Sequence, residues 1–305
     1  MNHIPLFYFF KSFLFPNSKS IAEHDVNDIF KKELDLISKY SDFQLDSGKN
    51  ILIFGCGYNY PDVVLFSNIT KNTVGIDIQE SFYKDGLRKL ISANKRDGFS
   101  TLNSIFRSIF IRRRYSKYHK YLRKFAQIKY KQDKLNIISV KNSVLPFDDE
   151  YFDVIISNAV FEHVDPLDDS IKELFRVAKK GSISIHSLHN YYSLSGSHVP
   201  QSLFEKYPWG HLLENNEFTS YLRFSKTFLN KIDPYTLNEL FSRYFNVILF
   251  KPNDKNHLIM DEDSEFKYEG ENLFDKLNSS DKDKLLKKYK KETLLSTGYI
   301  YICKK

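Results

Sequence analysis

The sequence predicts an α/β fold, a mostly parallel sheet with helices on both faces. Three observations carry that prediction. Residues 51–57, ILIFGCG, drive an apolar, β-favouring run straight into Gly-Cys-Gly. Asp77 ends a second apolar run, VGID, twenty residues after Gly57. Phe152–Ser157 is apolar almost throughout, as suits a parallel strand buried on both faces. Strand, glycine turn, helix, strand, acid is the order of a Rossmann-like unit. In such a unit the glycines let a ligand approach the backbone, and the carboxylate can accept hydrogen bonds from both hydroxyls of a ribose.

The elements follow in order. Residues 21–42 read as an amphipathic helix with Phe30, Leu34 and Ile37 on one face. Ile51–Phe54 and Thr73–Ile76 are the first two strands, Leu135–Val140 the third and Phe152–Ser157 the fourth. Asp168–Lys179 reads as a helix stopped at Gly181, followed by a fifth strand over Ser182–His186. Pro234–Tyr244 reads as a helix with Pro near its start and Asp233 as its cap. Asn246–Lys251 and Thr297–Cys303 complete the strands.

Two segments exceed what the core needs. A strand-helix-strand crossover takes about 30 residues in all, yet nearly 60 separate Asp77 from the third strand. The excess, residues 98–134, reads as a basic helical insertion. Leu102, Ile105, Phe106, Ile109 and Phe110 repeat at helical spacing, and Tyr115, Tyr118, Leu122 and Phe125 repeat after them. The second segment, residues 188–232, follows the fifth strand, where loops line the ligand crevice, and so reads as a lid. Residues 252–296 read as a charged, peripheral helical segment. The expected organisation is therefore a single domain over 1–305, with its core at about 21–97, 135–187, 233–251 and 297–305.

Charge and cysteine content narrow the class. The net charge is +7, but residues 81–135 alone hold sixteen Lys or Arg against three Asp, so the rest of the chain is net acidic. Basicity belongs to one element and not to the chain. Cys56 and Cys303 support neither a disulfide framework nor a thiolate zinc site, which favours a cytoplasmic setting. No apolar run reaches the length of a membrane span. The start, IPLFYFFKSFLF, is short, is interrupted by Lys11, and lacks the marks of a signal peptide. It is expected to pack on the domain, with an interfacial membrane foothold as the alternative.

The motifs LPFDDEYFDVIISNAVFEHVD (145–165) and LFRVAKKGSISI (174–185), with IFGCG and VGIDIQ before them, closely resemble those of class I S-adenosylmethionine-dependent methyltransferases of the type 11 group. The resemblance implies a Rossmann-like methyltransferase sheet whose last two strands pair antiparallel, with S-adenosylmethionine as cofactor. It implies that Phe54, Gly55, Cys56 and Gly57 pass beneath the methionine portion, and that Asp77 and Ile78 meet the ribose side. Asn142 and Ser143 fall near the adenine, and Asn158 and Ala159 face the cofactor. The chain departs from the pattern twice. Ile53 stands where many relatives carry an acid, and the acid that meets the adenine amino group falls on Lys141, which leaves Asn142 as the substitute.

Methyl transfer needs alignment and, for some acceptors, removal of a proton. Three histidines are candidate bases: His163 in FEHVD, and His186 and His189 in HSLHN. The bland reading is that Glu162 and His163 fix the helix that follows, and that the others pack. His198 and His211 bring the number within 26 residues to four, counting His186 and His189. Without an HExxH or Cys/His spacing, no metal site is expected. SLSGSHVP and YPWGHLL resemble the lid of a subset of type 11 relatives associated with surface polysaccharides. The expected activity is O-methylation of a small-molecule, sugar or lipid-linked glycan acceptor. An RNA methyltransferase and a catalytically silent S-adenosylmethionine-binding partner protein stand as alternatives. The basic insertion suggests an anionic membrane surface as a partner, with a peripheral location, ahead of nucleic acid.

Overall fold

The computed structural model describes residues 18–79, 87, 89, 91–92, 101–128, 135–141, 144–199, 201–222, 228–253 and 270–305. Seven strands lie in one sheet in the order β3-β2-β1-β4-β5-β7-β6. They are β1 Ile51–Phe54, β2 Thr73–Asp77, β3 Asn136–Ser139, β4 Phe152–Asn158, β5 Ala178–His189, β6 Asn246–Pro252 and β7 Gly298–Lys304. β1 runs parallel to β2 and β4, and β2 runs parallel to β3. β7, the last strand in sequence, runs antiparallel to both β5 and β6. The mostly parallel sheet with an antiparallel last strand is the architecture the sequence predicts.

By internal contacts the chain divides into two compact units. The first takes the described residues up to Leu145, with Tyr151–Ile156. The second takes Pro146–Glu150 and the described residues from Ser157 to Lys305.

In the first unit, α1 Ser18–His24, a π-helical turn Asp25–Phe30 and α2 Lys31–Tyr40 run on without a break. Of the expected apolar face, Ile37 is buried, and Phe30 sets its edge on Phe66 with ring centroids 5.0 Å apart. α3 Pro61–Phe66 has Pro at its first turn and packs against β2. Gly75 allows that approach: a Cβ there would lie 2.4 Å from Val63 Cγ2 and 3.1 Å from Cys56 Sγ. α4 Thr101–Ala126 joins the two predicted helical patterns of the basic insertion into one helix of 26 residues. Tyr118 and Leu122 are buried, as the periodicity predicts. Phe106, Ile109 and Phe110 in its first half are exposed.

In the second unit, α5 Leu167–Val177 ends earlier than predicted and β5 starts at once, at Ala178. Gly181 lies inside β5 with φ +76°, so its glycine freedom serves an irregularity in the strand and not a helix end. α6 Gln201–Lys206 and α7 Asn216–Leu222 lie in the lid-like segment. α8 Pro234–Ser242 is capped as expected, the Asp233 carboxylate accepting from the amides of Tyr235 and Thr236. α9 Gly270–Lys276, α10 Ser279–Lys288 and α11 Lys291–Leu295 supply Phe274, Leu285 and Leu294 to one apolar cluster with Leu194, Phe204 and Trp209. Asn190 Nδ2 donates to the carbonyls of Thr293 and Ser296, tying the start of the lid-like segment to the same place.

Candidate functional site

Phe54, Gly55, Cys56, Gly57, Asp77 and Ile78 fall in the first unit. The amides of Gly55 and Cys56 both donate to the Ile76 carbonyl at 2.9 Å, folding the end of β1 onto the end of β2. Gly55 and Gly57 have φ of +71° and +69°, where a side chain would be strained. The turn then brings the Gly57 amide 2.8 Å from Asp77 Oδ2, and the Gln79 amide donates to Oδ1 at 3.0 Å. Each carboxylate oxygen accepts one backbone hydrogen bond and keeps capacity for another. That suits a 1,2-diol, whose two hydroxyls each need an acceptor. Ile78 is 73% exposed directly beside it, an aliphatic surface that the flat part of a nucleoside would cover. Asn142 and Ser143 lie outside the described residues. Ile53 is 1% exposed within β1, so the position where many relatives carry an acid offers packing and nothing polar.

The remaining candidates fall in the second unit. Asn158 Oδ1 accepts from Ser187 Oγ at 3.1 Å, and the Ala159 amide donates to the Ser187 carbonyl at 3.0 Å, so β5 positions the tip of β4. Ala159 itself takes a left-handed φ of +51°.

The three candidate bases have different surroundings. His186 is fully buried: Nδ1 lies 2.8 Å from Ser157 Oγ, and the ring stacks on Phe241 with centroids 4.8 Å apart. Burial pushes it down to about 3, and it is placed to pack. His189 is buried too, with Nε2 at 3.1 Å from Ser195 Oγ. Burial, with His198, His163 and His211 close by, pushes it down to about 3.

His163 is the accessible one of the three. Its Nδ1 lies 2.7 Å from the Phe228 carbonyl. A carbonyl only accepts, so the bond puts the proton on Nδ1 and leaves a lone pair on Nε2. The turn that carries it is held by Asn230, whose Nδ2 donates to the carbonyls of Phe161 and Val164 and whose amide donates to that of Glu162. Sequence reasoning missed Asn230, because nothing local marks a residue about 70 positions downstream as the clamp of this turn.

It also missed a convergence. Glu162, His189 and His198 each offer a ligand atom, and these atoms all lie within 4.8 Å of one another. Burial raises the Glu162 carboxyl to about 8, and the amides of Glu162 and His189 lower it only in part. Neither of its oxygens accepts a hydrogen bond of normal geometry, and His163 Nε2 stands 3.9 Å from Oε1.

A mostly parallel seven-stranded sheet with an antiparallel last strand is a Rossmann-like arrangement, and Asp77 stands at the end of β2. Residues 114–185 match the methyltransferase domain family of type 11. The matched segment contains the motifs around β4 and β5, and the family is the one those motifs indicate. Gly55, Gly57 and Asp77 lie outside the match. No curated protein matches the chain.

Among solved structures, the chain is similar to the YcgJ protein of Bacillus subtilis at 14% identity and a TM-score of 0.46, over 90% of this chain and 99% of that one. It is similar to the PH0226 protein of Pyrococcus horikoshii at 14% identity and a TM-score of 0.45, over 97% and 98%. It is also similar to the geranyl diphosphate C-methyltransferase of Streptomyces coelicolor, at 9% identity and a TM-score of 0.46, over 94% and 82%. That enzyme was solved with Mg2+, geranyl diphosphate and S-adenosyl-L-homocysteine. All three scores lie below 0.5, and the fold rests on this chain's own strand order.

Proposed function

We propose that this protein is an S-adenosylmethionine-dependent methyltransferase that O-methylates a small-molecule, sugar or lipid-linked glycan acceptor. The observation that carries the reading is the tether between Gly57 and Asp77. A carboxylate fixed through both oxygens by backbone amides, with acceptor capacity left on each, is built to receive two neighbouring hydroxyls. Gly55, Cys56 and Gly57 would pass beneath the amino-acid portion of the cofactor, and Ile78 would cover its base. The bound cofactor supplies an electrophilic methyl group on a positive sulfur.

The protein's own task is to hold the acceptor oxygen in line and to take its proton. His163 is suited to the second part, since its Nε2 lone pair is fixed by the bond from Nδ1 to Phe228. A hydroxyl bound at Nε2 would hand its proton to that lone pair, which is what an O-methylated acceptor asks of a base. His186 and His189, buried and held neutral, orient their neighbours instead.

A second reading concerns where the acceptor is met. Exposed Phe106, Ile109 and Phe110 precede exposed Arg112 and Arg113 on α4, which fits the headgroup region of an anionic membrane. No helix of the described residues is long and apolar enough to cross a membrane, so such contact would be at the surface.

Calorimetric titration with S-adenosylmethionine and S-adenosylhomocysteine tests the cofactor reading directly. Saturable binding that is lost in Asp77→Ala is the expected result. Binding unaffected by that change would reject the assignment.

A further inference from the structure

We propose that Glu162, His189 and His198 form a site for a divalent first-row transition metal ion. Glu162 comes from the one-turn 3-10 helix Phe161–His163 after β4, His189 from the last position of β5, and His198 from the lid-like segment. Their ligand atoms converge within 4.8 Å. A tetrahedral set of N and O ligands at about 2.0–2.1 Å from an ion has edges of about 3.3 Å, so modest side-chain rotation closes the group.

The chain returns to this point by a compact turn. The Ser193 amide donates to Asn190, that of Gly196 to Ser193, and that of His198 to Ser195. A Cβ at Gly196 would sit 2.1 Å from the Tyr191 carbonyl oxygen, so only glycine fits there. His198 is then held at a left-handed φ of +55°, its ring centroid 4.4 Å from that of His189 and 5.1 Å from that of His163.

A second observation, independent of proximity, points to a ligand. Glu162 is 1% exposed, and neither carboxylate oxygen accepts a hydrogen bond of normal geometry. His198 Nε2 is buried without a hydrogen-bond partner as well. A buried carboxyl left in this state is destabilising unless something supplies the missing interaction. A cation does so for the carboxylate and for a neutral imidazole lone pair at once.

The donor set selects the metal. Two imidazoles and one carboxylate suit zinc or iron(II) and disfavour magnesium and calcium, which take oxygen ligands. Ser195 Oγ beside His189 Nε2 is an outer partner of the kind that orients a metal-bound imidazole. Three protein ligands leave a fourth position, and His163 Nε2 borders the group at 3.9 Å from Glu162 Oε1. An ion with an open position lowers the pKa of a bound water or hydroxyl.

This inference does not depend on the cofactor reading, and its test does not use activity. Chain purified without a polyhistidine tag and stripped with chelator is titrated with Zn2+ against a chromophoric competitor, and its melting temperature is followed in parallel. One Zn2+ per chain is expected, with a higher melting temperature and no displacement by millimolar Mg2+. Glu162→Gln and His198→Ala should each weaken binding about a hundredfold or more, beyond what loss of an outer partner gives. His24→Ala, far along the chain in α1, should leave it intact. Should the buried Glu162 variant fail to fold, His198→Ala decides, since His198 sits on a turn and is only partly buried. Failure to bind stoichiometric Zn2+, or binding that survives His198→Ala, would overturn the proposal.

Discussion

The Gly57 amide donates to Asp77 Oδ2 at 2.8 Å, across twenty residues of sequence. One bond joins the glycine turn after β1 to the acid at the end of β2, so the two features read separately from the sequence form a single object. Charge-assisted hydrogen bonds to a carboxylate are worth about 1.5–3 kcal/mol each. Asp77→Ala should therefore weaken S-adenosylmethionine binding at least tenfold by calorimetry. Asp77→Asn separates the two functions of the side chain. It keeps one acceptor, so it should fall between wild type and Asp77→Ala if the ribose is what Asp77 binds. Equal affinities for all three proteins would count against the assignment.

His163 is placed by Phe228 and by the turn that Asn230 clamps. As an acceptor base it should contribute about 10² to 10⁴ in rate. His163→Ala should lose that much turnover while binding cofactor with unchanged affinity. Asn230→Ala should produce a smaller loss of the same kind, because it loosens the turn and leaves the base in place. A His163 variant with full turnover would show that the acceptor needs no proton removed, or gives it to another group.

The strands were legible because buried parallel strands are nearly continuous apolar runs, and because Gly-Cys-Gly and Asp77 punctuate two of them. The α8 cap was legible for a similar reason: Asp233 and Pro234 act within one turn. What was not legible depends on residues far apart in sequence. Four histidines within 26 residues were visible, but the carboxylate that gathers two of them, Glu162, lies on another element and shares no spacing rule with them. Gly181 shows the reverse error. A glycine after a helical pattern favours a helix stop, yet here β5 begins four residues earlier than predicted, at Ala178, and the positive φ falls inside the strand. The periodicity of α4 identified its apolar face but not which part of that face is covered, since covering depends on the partner helices.

Asp25 gives a prediction about stability. It is 4% exposed in the π-helical turn, and its carboxylate accepts from the Tyr118 hydroxyl. Burial raises it from 3.8 to about 6; the Tyr118 bond opposes this, Asp62 adds to it and His24 opposes it. The native pKa lies above the unfolded one, so the native state binds the extra proton. The stabilising contribution is full below about pH 4 and is lost as pH rises through 6. The difference amounts to about 3 kcal/mol at most, since one pKa unit is about 1.4 kcal/mol. Asp25→Asn keeps an acceptor for Tyr118 and carries no charge. It should be more stable than wild type in urea at pH 8 by about 1–3 kcal/mol, with the advantage gone at pH 4. An advantage independent of pH would place its cause elsewhere.

In the first half of α4, Phe106, Ile109 and Phe110 are exposed. Phe106 is 53% exposed and Ile109 47%, and exposed Arg112, Arg113, Lys117, Lys120, Arg123 and Lys124 follow them. Lone exposed apolar residues need no explanation, but three within one and a half turns, next to a run of cations, call for a surface that takes both. An anionic bilayer does so. Each basic side chain near such a surface contributes about 1 kcal/mol, screened by salt, and each buried Phe or Ile about 1.5–3 kcal/mol, which salt leaves unchanged. The two contributions can be separated by co-sedimentation with vesicles. Binding to phosphatidylserine-containing vesicles should fall as salt rises, and binding to neutral vesicles should be weak. Reversing Arg112, Arg113 and Arg114 to Glu should abolish the salt-dependent part. Phe106→Asp with Phe110→Asp should weaken binding at every salt concentration, because what it removes is apolar contact. RNA offers phosphates and stacking partners to the same element, so a titration with single-stranded RNA runs beside the vesicles. Binding to RNA with none to vesicles would move the acceptor reading toward nucleic acid. Binding to neither would leave α4 a solvated basic face.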